Sequence, residues 1–495
     1  VKKIMFGTVK HVLRLLAYGG LGVVLTLLVV LVMHLNSRPD LAAWHTVHLD
    51  EEFTSDSEVS TFAEYLALED RLFKQLDEEV YQATPANADD LINRYRAGSL
   101  ADPGRWARNW NRSYEMPVDD PPAAVLLLHG LSDSPYSLKH LAEKLSGLGV
   151  HVLGLRIPGH GTAPSGLVRT DWKDMAAAVH IAVNHLSQQH PNAPLHLVGY
   201  SNGAALALNY ELDSLVDPSL PGIDRLVLIS PEIAVTKLAM FAKTQARLGR
   251  LLGLEKLAWN DILPEYDPYK YGSFAVNAGK VSYEITEEIQ KQISRLAKSG
   301  KLEEIAPILA FSSVVDATVE VTALVDNLFN RLPGDKHELV LFDINRRSGV
   351  EPLLRWNPQP MLDALSSHPR EQYTLRLVSN KDVVDGQVEL KSWQAGEPDA
   401  TSVPLGLSWP DDLFSLTHVA LPFPPGDSLY GGKPASPSPG LQLGRLAYRG
   451  ERGVLQISAD SMLRLRWNPF YSFLESRALE FLQIAHEPED LIGQP

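Results

Sequence analysis

Ser201 sits between two glycines in HLVGYSNGAA, residues 196–205. A Gly-x-Ser-x-Gly match alone is a weak sign. With Gly and Ser each near ~7%, a chain this long holds one by chance about one time in six. Its flanks carry more. LHLVGY reads as a strand and NGAALALNYEL as a helix. The motif's mechanics require that order: a strand, a sharp turn bearing the serine, then a helix. Gly199 and Gly203 would let neighbouring chain approach the turn. The helix start behind Ser201 supplies free N–H groups and a positive dipole end, both favourable to a developing oxyanion. The chemistry open to such a serine is nucleophilic attack on a carbonyl.

A nucleophilic serine needs a base, and the base needs an orienting acid. In this frame the acid follows a later strand and the base comes later still. Asp316, after PILAFSSVV, fits the acid best; Asp343 also ends a strand, and Asp326 falls in the next helix. The later histidines are His337, His368, His418 and His486. His337 begins a strand, at the wrong end of a sheet. His368 lies in the turn-like SSHPREQ, and His486 follows the last helix. His418, in FSLTHVALPFPP, opens a loop after an apolar stretch and is the expected base. Two backbone N–H groups would hold the oxyanion: that of Asn202, after the nucleophile, and that of Leu131, in the loop after LLLHG. His129 and Gly130 shape that loop, and His129 is not expected to act as a base.

The chain has no cysteine, so disulfides, thiolate metal sites and a catalytic thiol are excluded. Its net charge of −15 argues against nucleic acid as a partner. His180, His185 and His190 advance about 140° per step on a helix and should not share a face. His45 and His48 lack a carboxylate arrangement that suggests a site. No metal and no cofactor are expected.

The elements that must position these residues can be read from periodicity. AAVLLLHG (123–130), VHVLGLRIPGHG (150–161), LHLVGYSNG (195–203) and IDRLVLIS (223–230) are short apolar runs bounded by turn residues, as buried parallel strands are. Helical segments at roughly 137–148, 172–189 and 203–213 separate them. The alternation predicts an α/β domain with a mostly parallel sheet flanked by helices. IAPILAFSSVVD (305–316) and HELVLFD (337–343) are a fifth and a sixth strand. The gap at 231–304 is amphipathic and helical, and reads as an inserted lid. A second insertion, 344–415, holds strand-like pieces such as QYTLRLVS and QVELKSW. NPFYSFLESRALEFLQIA (468–485) should be the closing helix. The hydrolytic domain would thus occupy 121–495, behind a stalk and docking segment at 36–120.

Residues 15–33, LLAYGGLGVVLTLLVVLVM, carry no charge. As a helix they span roughly 28 Å, close to a bilayer's hydrocarbon core. Lys2, Lys3, Lys10 and Arg14 precede the run, and Asp40, Asp50, Glu51 and Glu52 follow it. Residues 1–35 therefore read as a retained transmembrane anchor, with the N-terminus cytoplasmic and the main domain periplasmic or otherwise extracytoplasmic. A cleaved signal peptide is the alternative. Val1 suits a GTG start codon read literally, and so a bacterial gene.

VLLLHGLSDSPYSLKHLAEKL, GLRIPGHGTAPSGLVRTDWKDM and LVGYSNGAALAL together resemble the α/β-hydrolase superfamily. They look most like its serine aminopeptidase S33, monoacylglycerol lipase-like (lysophospholipase-like) branch. The resemblance covers about 121–343 and 415–485. It implies a Ser201–Asp316–His418 triad, a cap at 231–304, and hydrolysis of a carboxylic ester such as an acylglycerol or lysophospholipid. In relatives the histidine follows the last strand within a few residues; here that place holds NRRSGVEP, with no histidine. An S33-type aminopeptidase is one alternative, with lid acids holding the substrate amine. A non-catalytic, membrane-tethered binding module is another.

Overall fold

The apolar runs fold as strands because their Val, Leu and Ile side chains are covered on both faces, which only a parallel sheet between helical layers provides. The computed structural model describes residues 2–85, 90–233, 254–367, 371–382, 384–447, 455 and 457–485. The strands are β1 (Tyr114–Met116), β2 (Ala124–Leu128), β3 (His151–Leu155), β4 (Leu195–Tyr200) and β5 (Arg225–Ile229), then the short β6 (Trp259–Asp261) and β7 (Phe274–Ala275). There follow β8 (Ile308–Ser313), β9 (His337–Phe342), β10 (Tyr373–Asn380), β11 (Gln387–Trp393) and β12 (Thr401–Ser408). Ten of them form one sheet in the order β1-β3-β2-β4-β5-β8-β9-β10-β11-β12, and β6 pairs with β7 apart from it. Pairing is parallel from β3 through β10 and antiparallel at both margins.

The chain leaves β2 to form β3 on one side, then returns to form β4 on the other. The sheet therefore has a topological switch point between β2 and β4. The carboxyl ends of two strands diverge there, and open α/β sheets place ligands in that crevice. The HG loop follows β2 and Ser201 follows β4.

Residues 371–408, part of the stretch read from the sequence as a second insertion, supply β10–β12 and widen the main sheet. Their chain then comes back beside the end of β9. The Asn345 amide N–H donates to Phe414 O (2.8 Å), and its side-chain nitrogen donates to Leu413 O (2.8 Å).

The segment before the sheet is built into the body rather than held off it. Helix α1 (Lys2–Ser37) is followed by α2 (Ala43–Thr46) and α3 (Phe62–Leu76). Thr61 and Glu64 form a capping box at the start of α3. Its inner face puts Phe62, Tyr65 and Leu68 into the main core. Arg156, fully buried after β3, donates to Glu69 (3.0 Å) on α3 and to Glu52 (3.0 and 3.1 Å) before it.

Among the described residues, Leu13–Ser37 is one helix long and apolar enough to cross a membrane, with mean hydropathy 2.6 and its most apolar stretch unburied. Its end is clamped to the body. The Arg38 guanidinium donates to the carbonyls of Lys256, Trp259 and Asn260 at 2.8–2.9 Å.

Helices α4 (Lys139–Gly147), α5 (Trp172–Gln189) and α6 (Asn202–Ser214) cover the sheet at the expected places. Of the expected lid, residues 234–253 lie outside the described residues. Its later part forms α7 (Val276–Ser299), whose apolar face, Val281, Ile285, Ile289 and Ile293, is buried in the core beside α6. The closing helix spans Tyr471–Phe481.

Candidate active site

Ser201 occupies the turn between β4 and α6 with φ +54° and ψ −116°. Such a conformation is strained for a residue with a Cβ and persists only where the surroundings enforce it. Here they do. The Ser201 amide donates to Ile229 O on β5 (2.9 Å), and its carbonyl accepts from Ala204, Ala205 and Glu232 (3.0, 3.3 and 3.2 Å). The two flanking glycines are needed for space. A Cβ on Gly203 would lie 2.1 Å from Leu128 O, and one on Gly199 would lie 2.4 Å from Ala204 Cα. Strand, turn and helix can meet this closely only without those side chains.

His418 Nε2 lies 2.9 Å from Ser201 Oγ, and His418 Nδ1 lies 2.8 Å from Asp316 Oδ2. All three side chains are buried. The loop after β8 brings Asp316 to the site. Its Oδ1 accepts from the Thr318 and Val319 amides at 2.8 and 3.0 Å. Burial works against the charge on Asp316, but the hydrogen bond and charge of His418, with those two amides, outweigh it and hold the carboxyl below its ordinary range. A charged carboxylate only accepts, so Nδ1 carries the proton and Nε2 turns a lone pair toward the serine.

The loop that carries His418 is fixed from several sides. Ser313 Oγ donates to Leu416 O (3.0 Å), and Thr417 Oγ1 donates to Leu465 O (2.6 Å). Together with the Asn345 contacts, these explain how a histidine so distant from β9 in sequence returns to its end.

Leu131 and Asn202 sit on the two loops that meet at the switch point, one after β2 and one at the start of α6. Neither backbone N–H has an acceptor among the described residues. His129 holds the first loop. Its Nδ1 donates to Gly130 O (2.9 Å), and its Nε2 accepts from the Ile157 amide (3.0 Å). Burial and the neighbouring His160 push its pKa well down, so it stays neutral with both nitrogens used. It has no lone pair left for proton transfer.

The other candidates lie elsewhere. Asp343 pairs with Arg346 (2.9 Å), and Asp326 accepts from Asn330. His337 bridges the Ile308 amide and Pro333 O at the far end of the sheet. His368 and His486 lie outside the described residues. His180 stands apart beside Asp213 (3.4 Å). His185 and His190 do come near one another, against the helical-rotation argument. His185 and His151 both reach Glu115 Oε1 (3.0 and 2.8 Å), and His190 reaches His151 (2.8 Å). The reason is local: His190 caps α5 with φ −129° and ψ 65°, so it has left the helix. Among the described residues no group of His, Cys, Asp or Glu has the arrangement of a metal site.

Three neighbours of the site carried no separate signal in the sequence. Glu232 is buried beside Ser201, and Asn202 Nδ2 donates to it (3.2 Å). Burial pushes its carboxyl up. Asp133 and Lys270 pair at 2.8 Å on the approach to the serine. Their positions depend on loops far apart in sequence, which no local pattern relates.

A serine in this strained turn, at the switch point of this sheet order, defines the α/β-hydrolase class. Residues 119–344 match the family model described as serine aminopeptidase, S33. The chain is 33% identical over 91 residues to a thermostable monoacylglycerol lipase of Bacillus sp. (strain H-257), covering 18% of this chain and 36% of that one. It is 26% identical over 194 residues to a monoglyceride lipase homolog of Monkeypox virus, covering 37% and 68%. Against the monoglyceride lipase of Homo sapiens it is 29% identical over 138 residues, covering 26% and 44%. The matches thus span between about a third and two thirds of those relatives' own lengths. Over residues 119–344 the chain thus resembles the S33, monoacylglycerol lipase-like branch of the α/β hydrolases, as its motifs suggested.

Proposed function

We propose that this chain is a serine hydrolase of carboxylic esters with a lipid-like acyl group, anchored to a membrane by α1. The observation that carries the reading is the Ser201–His418–Asp316 hydrogen-bonded chain at 2.9 and 2.8 Å. His418 takes the proton from Ser201 Oγ as the oxygen attacks the ester carbonyl. Asp316 orients the ring and stabilises its charged form. The N–H groups of Leu131 and Asn202 hold the oxyanion. His418 then gives the proton to the leaving alcohol, and water, activated by the same histidine, releases the acid. The relatives' names, monoacylglycerol and monoglyceride lipase, favour a monoacyl ester. The basic residues before α1 and the acidic ones after it favour a cytoplasmic N-terminus and an extracytoplasmic domain.

The test uses the full chain in an uncharged detergent with p-nitrophenyl esters of increasing acyl length. Ser201→Ala should lower turnover by about 10⁴-fold or more. Equal turnover by both proteins would remove Ser201 from the chemistry. Inactivity of both on every ester, with release of amino-acid arylamides, would favour the aminopeptidase reading that the family's description allows. Silence on both substrates would favour a binding module.

A further inference from the structure

A cavity of about 170 Å³ opens between the residues that flank the reacting groups, Tyr200 before the serine and Val419 after the histidine. It is smaller than the ~300–1,000 Å³ that encloses a whole drug-sized ligand. One part of its wall is apolar, with Leu263, Val419 and Phe423, and the other carries five charged side chains, Asp133, Asp267, Lys270, Arg464 and Arg466. Its small volume and its charged part suit a compact polar group better than a long acyl chain. It also reaches close to the chemistry. The position a Cβ would take on Gly130 lies 3.2 Å from both Asp133 Oδ2 and Ser201 Cβ.

The charges in this wall do not cancel. Lys270 pairs with Asp133 at 2.8 Å, and Arg466 faces Asp267 at 3.8 Å. Arg464 is exposed and has no carboxylate within ion-pair distance among the described residues. Arg466 Nε and Asp267 Oδ2 are each buried without a hydrogen-bond partner among the described residues. Buried donors are nearly always satisfied, so an orphan in a cavity wall points to a missing acceptor. Arg466 Nη2 donates to Tyr266 Oη (3.1 Å) and Ser461 O (3.2 Å), which hold the guanidinium against the wall.

We propose that this cavity binds an anionic oxygen group, a phosphate or a carboxylate, on the alcohol half of the ester, with Arg464 as its principal counter-charge. The inference rests on the ester-hydrolase reading and narrows its substrate class. The alcohol half is assigned because the cavity adjoins Val419. His418 delivers its proton to the departing alcohol oxygen, so the group beyond that oxygen lies on the histidine side. Arginine matches phosphate and carboxylate with two parallel donors, and such bonds are about twice as strong as neutral ones.

The experiment compares three substrates with one acyl chain: a neutral monoacylglycerol, the same ester carrying a 3-phosphate, and an acyl glycolate with a carboxylate. The full chain in an uncharged detergent should favour the charged esters, and the faster of the two names the group. In Arg464→Gln the ratio of charged to neutral kcat/KM should fall about tenfold, mainly through KM. Arg464→Lys should recover part of it. Glycerol 3-phosphate should compete with substrate where glycerol does not. An unchanged ratio in Arg464→Gln overturns the subsite while leaving the esterase reading intact. If the wild type cleaves none of the esters, the esterase reading fails by itself. Titration of glycerol 3-phosphate into Ser201→Ala then decides the subsite, and absence of binding overturns it.

Discussion

At Ser201 the backbone carries strain so that a hydroxyl can stand clear of the sheet. The two glycines around it are as decisive as the serine. Gly203→Ala would drive a methyl into Leu128 O, and we expect a loss of about 3 kcal/mol or more, or failure to accumulate as soluble protein. Thermal unfolding measures it. Asp316→Asn should leave the shape of the site intact and lower kcat by about 10⁴-fold, because the amide can donate and so favours the wrong histidine tautomer. Since Asp316 is held below the usual carboxylate range, it should stay charged over the acid limb of the pH–rate profile. That limb should then have unit slope, and a slope of two would mean that Asp316 titrates within it. Ser201, Asp316 and His418, which the structure brings together, were each legible as candidates in the sequence because each ends a recognisable strand or opens a loop. Arg464, Tyr200 and Asp133 were not. They come together only when β4, the HG loop and the stretch near 464 converge.

The elements show where a pattern of apolar residues suffices and where it does not. β2 to β5, β8 and β9 were readable because a doubly covered strand has little choice but to be apolar. The place of β10 to β12 was not readable, since a strand's sequence does not say which edge it joins. α7 has the alternation of a surface helix, yet its apolar face is committed to the core. Glu211 links two of these layers: it lies on α6 and accepts from the Ala306 amide (2.7 Å) ahead of β8. Burial pushes its pKa up to about 7. Its folded pKa is thus above the unfolded one, so it favours the folded state more as pH falls from about 7 toward 4.5, and costs stability above pH 7. Glu211→Gln should raise stability above pH 7 by at most about 3 kcal/mol, with the gain vanishing near pH 4.5. A Tm series across pH checks the sign. Arg156 ties α3 to the body in the opposite manner. Burial pushes Glu69 up even beside Arg156, so the pair adds little net stability. Removing Glu69 nonetheless leaves Arg156 buried with Glu52 as its remaining carboxylate and strips the Ser113 amide and hydroxyl of their acceptor. Glu69→Ala should cost about 3 kcal/mol and should speed proteolysis within 36–76.

For the molecule as a whole, the sequence separated an apolar leader, an intermediate segment and an α/β body. What it could not show is how fully the intermediate segment belongs to the body, because buried ion pairs and helix faces leave no periodic trace across long separations. We expect protease added to spheroplasts to reach the body, and a reporter fused ahead of α1 to remain protected. The reverse pattern would invert the proposed orientation.

The Arg38 clamp has a kinetic meaning. It joins the end of α1 to residues 256–260, and the same stretch of chain runs on into Tyr266 and Lys270 on the cavity wall. With α1 in a bilayer, the mouth of the site is held at a set height above the lipid, not swung on a free tether. Collision then takes place in two dimensions. Turnover of a bilayer-borne ester should follow its mole fraction in the membrane, and diluting the vesicles in buffer should leave the rate per enzyme unchanged.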